Sequence, residues 1–184
     1  MLDSIILLDK FIFIFINTAL SNPIFNKIMP LIDEEKIFIP LLLIPFIVTL
    51  LFDSNNRLKL LILIPITILL VDQSGLYLKK MFLRPRPWSE IDIELINHLV
   101  GEKGRNYSFP SNHAANMAGL SVVFSSIYKK YDKIFWILTG FVMLSRIYIG
   151  VHYPSDVIIG CLIGSMYGLL LVKTWNYFSK NKTK

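Results

Sequence analysis

Two histidines and a set of cationic side chains are the residues of this chain most able to carry out chemistry. His113 ends a short polar run, and His152 lies within a second one further along the sequence. A phosphoryl group spreads its charge over several oxygens and needs several donors in the transition state, which a cluster of cations supplies. The cationic residues concerned are Lys79, Arg84, Arg86 and Arg146. Their types predict a phosphate-binding site around the two histidines.

The sequence between the two polar runs explains how distant residues can meet. Two apolar stretches flank a short basic turn at 129–133, and each is expected to be long enough to cross a bilayer core, which takes roughly 20 helical residues. A helix that crosses and a second that returns bring the chain back to its starting side. His113, Arg146, His152 and Asp156 are therefore expected at one membrane face.

Composition restricts the class of protein. Of the 184 residues, 54% are hydrophobic and only 17% charged, and the mean hydropathy of +0.56 argues against a soluble domain. The length suits a single membrane domain covering residues 1–184. The net charge of +6 fits basic cytoplasmic loops or contact with anionic lipid better than nucleic acid. Cys161 is the single cysteine, so it forms no intramolecular disulfide, and core packing is its expected role.

The hydropathy pattern predicts an all-α integral membrane protein with a bundle of six transmembrane helices. Asp9 and Lys10 interrupt the first stretch, so this helix either crosses the membrane or lies in the interface as an amphipathic helix. Proline at position 154 suits the first turn of the last helix. The predicted helices cover residues 4–20, 37–52, 58–78, a segment beginning near 111, 134–146 and 154–175.

The distribution of basic residues gives an orientation. With the N-terminus inside, the cytoplasmic segments would carry the lysines and arginines near 57–59, 129–133 and 180–184, in agreement with the positive-inside tendency. The loop at 79–109 is also basic, which counts against this orientation unless its charges serve phosphate binding. The expected location is the bacterial inner membrane, with the site facing the extracytoplasmic side.

Three spaced motifs make the region 79–156 resemble the type 2 phosphatidic acid phosphatase (PAP2) family. The family's motifs are Lys-x6-Arg-Pro, Pro-Ser-Gly-His and Ser-Arg-x5-His-x3-Asp, and they occur here in the same order. Asn stands where the second motif usually has Gly, and Asn accepts positive φ more readily than most residues. The matching residues are Lys79, Arg86 and Pro87 for the first motif, Pro110, Ser111, Asn112 and His113 for the second, and Ser145, Arg146, His152 and Asp156 for the third.

The resemblance implies a mechanism residue by residue. His152 would attack phosphorus and form a phosphohistidine, while Asp156 would orient the ring and stabilise its charge. His113 would protonate the leaving group and then activate water. The resemblance implies no metal ion and no cofactor. The phosphoryl group would be bound by Lys79, Arg86, Ser111, Asn112 and Arg146.

Three polar residues fall outside the motifs. Arg84 precedes a second proline but lacks the motif spacing, and it is a candidate to contact the substrate head group. Asp72 lies two helical turns before Lys79, where it is expected to make a structural hydrogen bond or to support that lysine. His98 is expected to be an ordinary loop residue. No His-x3-His pair or cysteine cluster points to zinc.

The function that these features favour is an integral membrane lipid phosphatase, whose partners are the bilayer and a phosphorylated lipid. Candidate substrates are lipid A 1-phosphate, undecaprenyl pyrophosphate, phosphatidylglycerophosphate and phosphatidic acid. A lipid phosphotransferase would use the same residues and differ in needing an acceptor lipid. A non-catalytic transporter on the same scaffold would be expected to lack His113, His152 or Asp156, and all three are present.

Overall fold

The computed structural model describes residues 2–100 and 107–181, and these form helices and loops without strands. Short 3-10 turns at Ile93–Leu95 and Lys129–Tyr131 join some of the helices. A π-helix, Phe15–Ala19, continues the first helix. The α-helices are α1 (Leu2–Ile14), α2 (Pro23–Leu31), α3 (Glu35–Phe52), α4 (Arg57–Phe82), α5 (Pro87–Glu90), α6 (Asn112–Ile127), α7 (Asp132–Tyr148) and α8 (Pro154–Asn181).

Helix α6 is the centre of the bundle. Nearly every side chain from Ala114 to Ser125 is buried, and α4, α7 and α8 surround it. Its contact with α8 is the most extensive between any two of the described helices. A Cβ atom added at Gly164 would lie 1.8 Å from the backbone oxygen of Ala115, so the two helices meet backbone to backbone. Small residues allow this approach, which in lipid supplies the van der Waals contact that holds helices together.

The bundle has two ends that are defined by polar contacts. The site face carries Lys79, Ser111, Arg146 and Asp156, because α4 and α7 end there and α6 and α8 begin there. At the far face, the Tyr128 hydroxyl donates to Asp53 at 2.8 Å, which joins the end of α3 to the turn after α6. Helices α3, α4, α6, α7 and α8 therefore run between the two faces.

The N-terminal segment, residues 2–33, contacts the site face along its whole length. The Asn17 amide donates to the carbonyl oxygen of Tyr148 at 2.7 Å, and the Asn97 backbone N–H donates to Asn17 at 2.7 Å. Further along, the Tyr148 hydroxyl donates to Asn26 at 2.6 Å. The chain bends by 114° between residues 4–19 and 23–31. This segment starts and ends at the same face and does not run through to the far one.

The expected count of six crossings is not confirmed. Among the described residues, two stretches are long and apolar enough to span a bilayer, Arg57–Glu90 and Pro154–Asn181, and the bent N-terminal pair would make a third. Helices α6 and α7 have 16 and 17 residues and fall short of the length of a full span. The all-helical membrane architecture is confirmed, and large apolar side chains are exposed around α3, α4, α7 and α8.

The contact between α6 and α8 gives a matched test of packing. Gly164→Ala is expected to lower the free energy of unfolding by about 1–3 kcal/mol, because the new methyl group overlaps the Ala115 backbone. Gly140→Ala makes the same chemical change in α7, where nothing lies within 4 Å, and should be neutral or slightly stabilising. Thermal unfolding of both variants in detergent measures the difference. Equal stability of the two variants would contradict the close approach of α6 to α8.

Candidate active site

Four helix ends bring the predicted residues together at the site face. Lys79 lies in the last turn of α4 and His113 in the first turn of α6, while Arg146 lies in the last turn of α7. The Ser111 backbone N–H donates to the carbonyl oxygen of Asp156 at 3.0 Å, which joins the start of α6 to the first turn of α8. Residues from all three motifs therefore form one cluster.

His152 is buried beside Asp156. The ring nitrogen Nδ1 lies 3.5 Å from Oδ2 of Asp156, longer than an ordinary hydrogen bond but close enough for an ion pair when the ring is protonated. Catalytic hydrogen bonds are often this long before substrate binds. The Tyr153 backbone N–H donates to the same oxygen at 2.8 Å, and the His152 backbone N–H donates to the carbonyl oxygen of Arg146 at 3.2 Å. The carboxylate faces Nδ1, so Nε2 is the ring nitrogen on the side away from Asp156.

The imidazole of His152 is held neutral by its surroundings. Its side chain is almost wholly buried, and burial lowers its pKa from the ordinary value to about 4. Positive charge on Arg86 and Lys79 acts in the same direction, while Asp156 opposes the shift. The ring of His152 is therefore unprotonated at neutral pH, the form that a nitrogen nucleophile requires.

Arg84 binds the other oxygen of Asp156. Its Nη1 donates to Oδ1 of Asp156 and to the Ser155 hydroxyl, both at 2.7 Å, and its Nη2 donates to Asp9 at 2.6 Å. The guanidinium also lies over the ring of Tyr153, 4.1 Å from its centroid. Both terminal nitrogens of Arg84 therefore bind protein partners, and its contact with the substrate head group stays a prediction.

Arg146 presents two unused N–H groups to the site. Its side chain is only 2% exposed, and Nη1 donates to Oδ1 of Asp33 at 2.6 Å. Nε and Nη2 are buried and have no hydrogen-bond partner among the described residues. These two nitrogens form the edge of the guanidinium that binds two oxygens of a phosphate or carboxylate at once. Buried donors without a partner are costly, so this edge is suited to an anion.

The other predicted phosphate ligands surround the start of α6. The Lys79 ammonium donates to the carbonyl oxygens of Pro110 and Ser108, and Nη1 of Arg86 donates to the Val151 carbonyl oxygen at 3.0 Å. Ser111 caps α6, and its hydroxyl accepts from the Ala114 backbone N–H at 3.5 Å. Backbone N–H groups in this first turn favour a bound anion.

His113 lies one residue into α6, facing the basic cluster. Arg146, Asp33, His152 and Arg86 all interact with it electrostatically. Its electrostatic interaction with His152 places it near the predicted nucleophile. A second imidazole at this point can pass a proton to or from a group bound between the two rings.

The side chain of Asn112 points toward α4. Its amide donates to Asp72 at 3.1 Å, and the amide of Asn116, one turn later, donates to the same oxygen at 3.1 Å. A Cβ atom at Gly75 would lie 2.3 Å from the Asn112 side-chain oxygen, so Asn at this position requires glycine on the facing helix. The structural hydrogen bond expected of Asp72 is present. It fixes α4, which carries Lys79, to α6, which carries His113.

Asp9 and Asp33 contact the arginines of the site, and neither was predicted from the sequence to have a role there. The available signal was chemical: both are ionisable residues in or beside an apolar segment, where a partner or a function is expected. The ring of His98 lies 5.4 Å from that of Trp88, and its Nδ1 lies beside Gly150. Among residues 2–100 and 107–181, no group of three or more His, Cys, Asp or Glu could hold a metal ion.

This chain is similar to known proteins over most of its length. The PAP2 superfamily profile matches residues 57–180. The lipid A 4'-phosphatase of Porphyromonas gingivalis is 28% identical over 96% of this chain and 76% of its own length. The lipid A 4'-phosphatase of Bacteroides thetaiotaomicron is 29% identical over 89% of this chain and 75% of its own length.

A solved structure agrees with the sequence relatives. The crystal structure of Aquifex aeolicus LpxE superimposes with a TM-score of 0.72 and 27% identity, over 88% of this chain and 93% of that one. The superfamily match covers α4 to α8, which carry all three motifs. This chain therefore belongs to the PAP2 superfamily, and it is a membrane phosphatase of that superfamily.

Proposed function

We propose that this protein hydrolyses a phosphate ester of a lipid A-type glycolipid. The two lipid A 4'-phosphatases align with nearly the whole chain, including the N-terminal segment that the superfamily profile does not cover. The observation that carries the reaction is the pairing of a neutral, buried His152 with the open edge of Arg146. Undecaprenyl pyrophosphate, phosphatidylglycerophosphate and phosphatidic acid are the competing substrates.

The position of the site supports a lipid substrate. The site lies where the apolar helices end, so acyl chains can stay in the bilayer while the phosphorylated head group reaches His152. A groove of 600 Å³ beside Arg84 has apolar walls formed in part by Ile5, Phe82 and Phe109. Lipid-sized apolar surface next to a cationic cluster is the combination that a phosphorylated lipid requires.

The first chemical step transfers the phosphoryl group to the protein. Nε2 of His152 forms a bond to phosphorus as the bond to the ester oxygen breaks, and His113 donates a proton to the departing alkoxide. The N–H edge of Arg146, with Arg86 and Lys79, stabilises the charge on the equatorial oxygens. Asp156 stabilises the positive charge that develops on the ring of His152.

The second step releases inorganic phosphate. His113, now neutral, takes a proton from a water molecule whose oxygen attacks phosphorus. The bond between phosphorus and Nε2 breaks, and the electron pair returns to His152. The sum is one water consumed, one alcohol and one phosphate released, and both histidines restored. No step needs a metal ion.

The basic residues of the far face support an extracytoplasmic site. Arg57 and Lys59 begin α4 there, the turn from Lys129 to Lys133 lies at the same end, and Lys180 ends α8. The positive-inside tendency favours a cytoplasmic location for this end, and so supports a site face on the outer side of the cytoplasmic membrane.

His152→Gln is expected to abolish phosphate release, by a factor of about 10⁴ or more, because no other group takes the place of the nucleophile. His98→Gln is the matched control and should retain most of the activity, because His98 belongs to none of the three motifs and its ring lies against Trp88. The measurement is phosphate release in detergent with EDTA, using lipid A and the three competing lipids side by side. Turnover by His152→Gln, or loss of wild-type turnover in EDTA, would contradict the mechanism.

The same experiment separates hydrolysis from phosphotransfer. Wild-type protein mixed with radiolabelled lipid phosphate and quenched in base should carry an acid-labile label that His152→Gln lacks. Phosphate release that needs a second lipid as acceptor would assign the protein as a phosphotransferase.

For lipid A with a single phosphate at either the 1 or the 4' position, the faster substrate identifies the position that the site accepts.

The titration of His152 gives a second test of the site. In protein labelled with 13C at histidine Cε1, the His152 signal should stay that of a neutral ring at pH 5, because burial and the nearby cations lower its pKa to about 4. His98→Gln and His113→Gln assign the three signals. Arg86→Met should raise the pKa of His152, because a positive charge is removed. A pKa near the ordinary 6.5 in the wild type would contradict this arrangement.

A further inference from the structure

The N-terminal segment supplies two carboxylates to the site from outside the region that the superfamily profile matches. That profile begins at residue 57, whereas Asp9 and Asp33 lie in residues 2–33. Each carboxylate binds an arginine at 2.6 Å, Asp9 to Arg84 and Asp33 to Arg146. Both ion pairs are largely buried, so removing one partner leaves the other charge poorly solvated.

Asp33 approaches Arg146 from the side away from its open edge. The bond uses Nη1, which leaves Nε and Nη2 directed elsewhere as a pair. Holding one terminal nitrogen limits rotation of the guanidinium about its last bonds and so fixes the direction of that pair. Asp33 also interacts electrostatically with Arg86 and His113, so its charge offsets part of the repulsion within the cationic cluster.

Asp9 acts on Asp156 through Arg84. One Asp9 oxygen accepts from the Ser155 hydroxyl at 2.5 Å and from Arg84, and the other accepts from the Ser155 backbone N–H at 2.8 Å. Asp9 thus satisfies a free N–H in the first turn of α8 and fixes the guanidinium that holds Asp156. A chain of contacts runs from the N-terminal segment through Arg84 to the partner of His152.

We propose that Asp9 and Asp33 are positioning residues of the active site, so that the N-terminal segment is a working part of the enzyme. Asp33 orients the Arg146 nitrogens that bind the phosphoryl group. Asp9 and Arg84 together hold the Asp156 carboxylate in position beside His152. This inference rests on the proposed phosphatase function for its kinetic consequences. Its binding consequences depend only on the cluster itself.

If Asp33 competes with the substrate for Arg146, removing it should change anion affinity in the opposite direction. A carboxylate on a phosphate-binding arginine could compete with substrate, and its removal would then strengthen anion binding. A carboxylate that orients Arg146 makes its removal weaken anion binding. Orthovanadate, which takes the geometry of a phosphoryl group in transfer, distinguishes the two without any lipid.

Asp33→Asn is expected to weaken orthovanadate binding by about 10- to 100-fold, the factor for loss of one well-oriented bond from a charged donor. It should lower kcat/KM on the best lipid by about 100-fold, mainly through kcat, because misplacement of about 1 Å costs this much. Glu34→Gln is the matched control: it removes the neighbouring exposed carboxylate and should change neither quantity. Tighter vanadate binding or a higher kcat/KM in Asp33→Asn would overturn the positioning role.

The role of Asp9 is tested by a cycle with Arg84. Asp9→Asn keeps an acceptor for the Ser155 N–H but loses the ion pair, and should lower kcat by about 10-fold; Arg84→Met should lower it by about 100-fold. The double variant should be no slower than Arg84→Met, because Asp9 acts through Arg84. Arg84→Met should also raise the pKa of His152, since Asp156 is then less neutralised. Additive losses in the cycle, or an unchanged pKa, would overturn the relay.

Orthovanadate binding and lipid hydrolysis are measured separately, so the positioning role and the proposed function can fail independently. All variants are first compared with the wild type by thermal unfolding, so that a loss of folding is recognised. If none of the lipids is hydrolysed but Asp33→Asn still weakens vanadate binding, the proposed substrate class fails and the positioning role stands. If lipid A is hydrolysed and Asp33→Asn matches wild type in both measurements, the function stands and the positioning role fails.

Discussion

The rest of the site depends on the pairing of the buried Asp156 carboxylate with its hydrogen-bond and ion-pair partners. A buried charge is tolerated only when it is paired and hydrogen-bonded, and Asp156 meets this condition through Arg84, the Tyr153 backbone and the nearby His152 ring. Its own backbone oxygen accepts from Ser111 at the start of α6. One residue therefore joins His152, the start of α6 and, through Arg84, the N-terminal segment.

The packing of the bundle keeps that arrangement in register. Backbone contact between α6 and α8 fixes the distance between the starts of both helices, because there is no side chain at Gly164 to adjust. Asp72 joins α4 to α6 through Asn112 and Asn116, and so sets the height of Lys79 relative to His113. Helix ends thus position Lys79, His113 and Arg146, while His152 lies in the short connection between α7 and α8.

The replacement of glycine by asparagine in the second motif has a structural explanation. The Asn112 side chain fills a space on the facing helix that exists because residue 75 is glycine, and Asp72 accepts its amide. The extra side chain is therefore directed into the bundle and away from the basic cluster. The asparagine that replaces the usual glycine of the second motif therefore connects α6 to α4.

The sequence by itself determined the all-helical membrane class, the clustering of His113, Arg146, His152 and Asp156, and the family. These follow from hydropathy and from motif spacing, both of which are local properties of the chain. Tertiary structure alone decided the path of the N-terminal segment and the partners of Arg84 and Arg146. Hydropathy does not distinguish a crossing helix from a bent pair that returns to the same face, because both carry apolar surface. The bond from Arg146 to Asp33 joins residues 113 positions apart, and only the folded packing of α2 against α7 brings them together.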